Sequence, residues 1–199
     1  MSVLDVIKSR RSVPKLRPDP VPREVLEEML DAAVWAPNHR LTEPWRFYVL
    51  TGDARRRFAE IRRHFRAATF PNPEAPEAIK ALDRLYQDTI ATPALIVATA
   101  HQAPDEEIRE EDTAATFIAA QNMMLVAAER GVGTYMRTGA LLRDPELRAF
   151  LGVEDDRRVL AILYVGYPTD GVPQKRRTPA AERTVWLEGG DLTRNAPNR

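Results

Sequence analysis

The sequence predicts an α+β fold in which helices surround one central mixed β-sheet, and three observations carry that prediction. Apolar residues recur at helical spacing in several segments, most clearly Val25, Leu26, Met29, Leu30 and Ala33. Short β-rich runs lie between such segments, at Trp45 to Thr51, Ala94 to Ala100 and Val159 to Val165. The prolines mark the joints between elements and no low-complexity linker interrupts them, so nothing signals a domain junction. With 44% hydrophobic content, residues 1–199 are expected to form a single domain around one sizeable core.

Taken in order, Ser2 caps a first helix that turns Val3, Val6 and Ile7 to one face and ends at Arg10. Pro22 opens a second, amphipathic helix. The Trp45 strand runs into a Gly52-Asp53 turn and a basic helix carrying Arg55, Phe58, Ile61 and Phe65. A proline-rich break, Pro71 to Pro76, separates this from a helix around Ile79, Leu82, Leu85 and Tyr86. Ala94 to Ala100 is apolar almost throughout, as expected of a strand buried on both faces. Glu111 to Arg130 is apolar around most of its circumference, which marks a central core or subunit-interface helix. Gly131-Val132-Gly133 ends it, a short strand reaches Met136, and the last strand closes at Gly166-Tyr167-Pro168.

Composition removes several function classes. Lys+Arg and Asp+Glu are both 29, so the chain lacks the global charge that nucleic-acid or anionic-membrane partners use. The absence of cysteine excludes disulfides, thiolate metal sites and a cysteine nucleophile. No apolar run approaches the length of a membrane span and the first residues are too charged for a signal peptide, so the expected location is the cytoplasm. Gly131-x-Gly133 lacks the third glycine, the preceding strand and the acidic ribose partner of a dinucleotide fingerprint. No metal site is expected.

Two segments carry the functional signal. Arg10-Arg11-Ser12 offers charge and a hydroxyl suited to a phosphate, although arginines at a helix end also complement its dipole. Ala36-Pro37-Asn38-His39-Arg40-Leu41-Thr42-Glu43-Pro44-Trp45-Arg46-Phe47 is a polar loop held between prolines and fed into a strand, a shape that lays backbone groups against a flat heterocycle. Together they point to a flavin. A lone loop histidine such as His39 is otherwise a solvent-facing bystander, and Trp35 reads equally as core packing.

This ordered set resembles the nitroreductase family of flavin-dependent oxidoreductases, in particular its short, His-containing branch. Gln121-Asn122-Met123, Gly131-Val132-Gly133-Thr134, Arg137-Thr138-Gly139-Ala140 and Gly166-Tyr167-Pro168 follow in the family's order. The resemblance implies a nitroreductase-like fold, a homodimer that exchanges its C-terminal tails, FMN at the subunit interface, and NADH or NADPH as reductant. It places Arg10, Arg11 and Ser12 on the flavin phosphate and ribityl chain, with Lys175 and Arg177 completing the phosphate site from the tail. It places Thr138 and Gly139 at flavin N5, with Met136 against the ring and Arg137 beside it. His39, with Trp35 next to it, is implied to reach the partner's cofactor.

The match has departures. Many members carry a basic residue near the flavin pyrimidine where this chain has Pro14 followed by Lys15, which leaves open the cation at N1. The Asn and Gln common before the Pro-Trp pair are replaced by Leu41-Thr42-Glu43. The expected function is ping-pong hydride transfer through N5 to nitroaromatic or quinone acceptors, with no protein nucleophile. The alternatives are a non-catalytic flavin-binding or sensing protein, and another flavin chemistry, dehalogenation or flavin cleavage, on the same frame. Pocket specificity is expected in the Phe65 to Leu85 region.

Overall fold

Ser2 begins the first helix by a reciprocal cap. Its hydroxyl accepts from the Asp5 amide at 3.2 Å, and the Asp5 carboxylate accepts from the Ser2 amide at 2.9 Å. The computed structural model describes residues 2–169 and 176–187. Its helices are α1 (Val3–Ser9), α2 (Arg23–Ala33), α3 (Gly52–Ala67), α4 (Pro76–Ile90), α5 (Glu106–Glu129) and α6 (Pro145–Leu151). Its strands are β1 (Leu16–Arg17), β2 (Trp45–Leu50), β3 (Ala94–His101), β4 (Gly133–Arg137) and β5 (Arg157–Pro168). Short 3-10 turns lie at His39–Leu41, Ala140–Arg143 and Ala180–Arg183.

β5 is the spine of the sheet. β3 pairs along one edge of it, and β2 along the far edge of β3. β4 and then β1 share the other edge of β5. All these ladders are antiparallel. The mixed character comes from the Ser12–Thr134 bridge, which lays the chain after α1 parallel to the free edge of β4. That bridge brings Arg10-Arg11-Ser12 to the sheet.

Strand alternation divides the core in two. Ile96, Leu163 and Val165 face α2 and α5, where Met29, Ala119 and Met123 close over them. Leu95, Val97, Ile162 and Tyr164 face the other way, toward Phe58 and Ile61 of α3 and Leu147 of α6. The α2 periodicity is met: Leu26, Met29 and Ala33 are buried, with Val25 and Leu30 packed against them. β3 is buried from Ala94 to Ala100, as its continuous apolar run predicted.

The differences have local causes. α5 begins at Glu106 rather than Glu111, because Asp105 caps it by accepting from the Ile108 amide at 3.0 Å. α6 went unread in the sequence, although Asp144 caps it and Pro145 supplies its first turn. In α1 only Val6 is buried, while Val3 and Ile7, expected inward, are exposed. This helix is two turns long and lies at the rim, so a single strip of it meets the core.

Candidate active site

Where α1 ends, Arg10 and Arg11 part company. The Arg11 guanidinium turns back and donates to the carbonyls of Lys8 and Arg10, the latter at 2.8 Å, so it closes the helix end. The Arg10 guanidinium makes no hydrogen bond or ion pair among the described residues. Burial, together with the charges of Arg11 and Arg177, holds its guanidinium below the ordinary value. Arg10, Arg11 and Arg177 therefore sit within electrostatic reach of one another. Arg10 and Arg11 line a cavity of about 290 Å3 with Gly133 and Thr134. Lys175 lies outside the described residues.

β4 holds this segment in place. Val13 donates to the Thr134 carbonyl at 2.9 Å, and Ser12 stands exposed at the bridge. Gly133 is required for the approach: a Cβ there would lie 3.0 Å from the Val13 Cβ. From Gly133, beside Arg10, the strand leads to Thr138 over about 17 Å at the usual rise per residue. Met136, Thr138 and Gly139 are all exposed at that far end. Gly139 has φ 115 and ψ −166, a conformation that side chains rarely adopt, and it opens the turn at Ala140–Arg143. Arg137 instead stacks on the rings of Tyr135 and Tyr164, each 5.1 Å away, so its charge turns onto the sheet face.

The loop at Pro37 to Pro44 is pinned to α5 by adjacent acids. His39 Nδ1 lies 2.7 Å from Glu111 Oε2, and Thr42 donates its hydroxyl to Asp112 Oδ1 at 2.6 Å. Asn38 Oδ1 also accepts from the Glu43 amide at 3.0 Å. Arg40, Leu41 and Glu43 all have positive φ, a strain these contacts offset. Trp35 is 84% exposed, so it is not core packing within one chain. Glu111 and Asp112 escape a reading by sequence alone, because they lie in the charged first third of α5 beside Glu106, Glu107 and Glu110 and nothing there sets them apart.

Two further groups complete the picture. Lys15, the candidate cation after Pro14, lines a cavity of about 470 Å3 with Arg62, Arg84 and Arg137. Trp186 and Leu187 of the tail are exposed, as are Val3, Leu4, Ile7, Leu41 and Ile118. A larger cavity, about 550 Å3 between α2 and the β2–α3 corner, contains none of the expected residues. Among the described residues no three His, Asp or Glu stand where they could hold a metal ion, and no helix is long and apolar enough to cross a membrane.

Comparison with known proteins identifies the family and its fold. The "Nitroreductase family" profile matches residues 7–167. The chain is 34% identical over 180 residues to the "Putative NAD(P)H nitroreductase YfhC" of Bacillus subtilis, covering 90% of this chain and 91% of that protein. A crystal structure of a nitroreductase-like family protein from Bacillus cereus superposes with a TM-score of 0.83 at 33% identity, covering 95% of this chain and 97% of that one. The fold is also that of the FMN-dependent nitroreductase NfnB from Mycobacterium smegmatis, solved with NADPH, at a TM-score of 0.72, 23% identity, and 92% and 97% coverage. The chain belongs to the nitroreductase family.

Proposed function

We propose that this chain is an FMN-dependent NAD(P)H oxidoreductase of one domain that acts as a homodimer and reduces nitroaromatic or quinone-type acceptors. The observation that carries the reading is the spacing of two features along β4. A cluster of guanidiniums suited to a phosphate lies at its Gly133 end, and exposed backbone at Thr138 and Gly139 lies at the other. That separation suits a phosphate and a ring joined by an extended ribityl chain.

The residues fit FMN. Arg10, partly buried and with no acid partner among the described residues, is the main phosphate ligand, with Arg177 beside it. Arg11 contributes charge but is committed to the helix end. Ser12 is exposed on the line between phosphate and ring. The Thr138 and Gly139 amides are the donors for the reactive edge of the ring, and Met136 is its apolar neighbour. FMN, when bound, supplies the hydride acceptor and donor at N5, so reductant and acceptor take turns and the kinetics are ping-pong. The protein orients the ring and stabilises negative charge on it.

A dimer follows from what one chain leaves uncovered. Val3, Leu4 and Ile7 of α1, Ile118 of α5, Trp35, Leu41 and the tail residues Trp186 and Leu187 are all exposed. A second copy covers them, and His39 and Trp35 then reach the partner's flavin. The NADPH of NfnB and the name of YfhC support a nicotinamide reductant.

The test is the protein's colour and its reversal. A yellow protein that bleaches with NADH or NADPH and recovers with a nitroaromatic or quinone is the expected result. Failure to bind FMN on reconstitution defeats the proposal. Bound flavin that neither nicotinamide reduces points to a binding protein instead, and faster turnover of halogenated phenols points to dehalogenation.

A further inference from the structure

Beneath β4, on the α3 and α4 side of the sheet, two adjoining cavities of about 300 and 470 Å3 share Arg62, Leu85, Arg137 and Tyr164. Their walls are aromatic and aliphatic, but their charge is one-sided. Among the described residues, Lys15, Arg62, Arg84 and Arg137 face a single acid, Asp88, which sits 3.9 Å from Arg84. Arg62 and Arg137 stand over the same tyrosine ring, 5.7 and 5.1 Å from its centre. The Arg62 guanidinium has one hydrogen bond among the described residues, to Thr89 Oγ1 at 2.5 Å, and burial together with Arg137 lowers its pKa from the ordinary value. The Tyr164 ring is almost wholly buried, and its hydroxyl has no partner among the described residues.

Two guanidiniums over one ring, Arg62 partly buried and Arg137 at the exposed mouth of the groove, repel one another, and a buried hydroxyl without a partner forfeits its hydrogen bond. An oxyanion answers both deficits at once: it neutralises the cations and accepts from the phenol. Thr138 lines the same space, so a ligand held there lies next to the proposed N5 donors.

We propose that the Arg62–Arg137–Tyr164 groove is an anion-binding subsite that takes the carboxylate or phosphate of the molecule reacting beside Thr138. It deepens the proposed function, on which the identity of that molecule rests. The anion has two sources, a carboxylate on an aromatic acceptor or the 2′-phosphate of NADPH, and in both the chemistry recognised is a delocalised oxyanion.

The probes are benzoate and inorganic phosphate, titrated calorimetrically into the FMN-loaded protein and into the flavin-free protein. The expected result is binding to the loaded protein that weakens with salt. It falls about tenfold or more in Arg137→Met, the loss of one charge-assisted contact. Tyr164→Phe, which keeps the ring in the core, weakens it less and guards against a folding defect in the arginine variant. Turnover then separates the sources. A preference for 4-nitrobenzoate over its methyl ester that Arg137→Met abolishes assigns the acceptor, and a lost preference for NADPH over NADH assigns the reductant. The proposal is overturned if neither probe binds the loaded protein, or if both variants bind as tightly as the parent. Binding confined to the flavin-free protein also overturns it, because the cavity then belongs to the cofactor. Failure to load FMN at all defeats the proposed function and the subsite with it, whereas an FMN-loaded, active protein that binds neither probe defeats the subsite alone.

Discussion

His39 and Glu111 meet at 2.7 Å, Nδ1 to Oε2, across the gap between a proline-bounded loop and the central helix. The next residue of that helix, Asp112, accepts from Thr42 of the same loop. Consecutive acids on one helix therefore hold both ends of a turn whose backbone is strained at Arg40, Leu41 and Glu43. With Nδ1 engaged, the imidazole turns its other nitrogen away from α5. The arrangement fixes His39 against α5.

The two acids differ in burial, and their variants should differ accordingly. Glu111 is partly exposed, so Glu111→Gln is expected to cost at most about 1 kcal/mol in chemical denaturation, while the His39 ring gains mobility in NMR relaxation. A ring as rigid as in the parent protein contradicts the pinning role.

Asp112 is only 3% exposed. Replacing it with alanine strands the Thr42 hydroxyl and unmoors the strained turn, for an expected loss of about 1 to 3 kcal/mol. Denaturation midpoints of Asp112→Ala and Thr42→Val measure this, and the double variant should be less than additive because both remove one hydrogen bond.

Arg10 and Arg11 should also separate by experiment. Arg10→Ala is expected to weaken FMN binding by about 1.5 to 3 kcal/mol, one charge-assisted contact, with little change in stability. Arg11→Ala should mainly loosen the end of α1. Flavin dissociation constants from fluorescence, set beside helix amide exchange, distinguish the two, and an unchanged constant for Arg10→Ala removes it from the site.

Gly133→Ala tests the packing that seats the arginines. The added methyl meets the Val13 side chain at 3.0 Å, tighter than ordinary contact, on a strand hydrogen-bonded to the same residue. The expected penalty is about 1 to 3 kcal/mol, with weakened flavin retention as Arg10 shifts. Full stability and affinity in this variant place the arginine segment elsewhere.

The cap of α1 is pH-dependent with a defined sign. Hydrogen bonds from the Ser2 hydroxyl and amide hold the Asp5 carboxyl below its ordinary value of 3.8. A group whose folded pKa is depressed stabilises above its unfolded value and loses that stabilisation as pH falls through the folded one. Amide exchange in α1 should therefore speed up below about pH 3.8 in the parent protein and not in Asp5→Asn, whose side chain carries no titrating proton.

Local physics was readable directly from the chain. The periodicity of α2, the apolar run of β3 and the cap at Ser2 each depend on neighbours in sequence, and each appears where expected. Arg10, Ser12, Thr138 and Gly139 were singled out as candidates by their order along the chain. Pairing across distance was not. Nothing in one dimension assigns Arg11 to the helix end and leaves Arg10 unpaired, since adjacent arginines look alike until the turn after α1 aims them. Nor does spacing reveal that Glu111 and Asp112 meet His39 and Thr42, or that Arg62 and Arg137 stack on one tyrosine. Those contacts exist because the sheet's register and the packing of α3 and α5 against its two faces bring distant segments together, and burial then sets how much each charge matters.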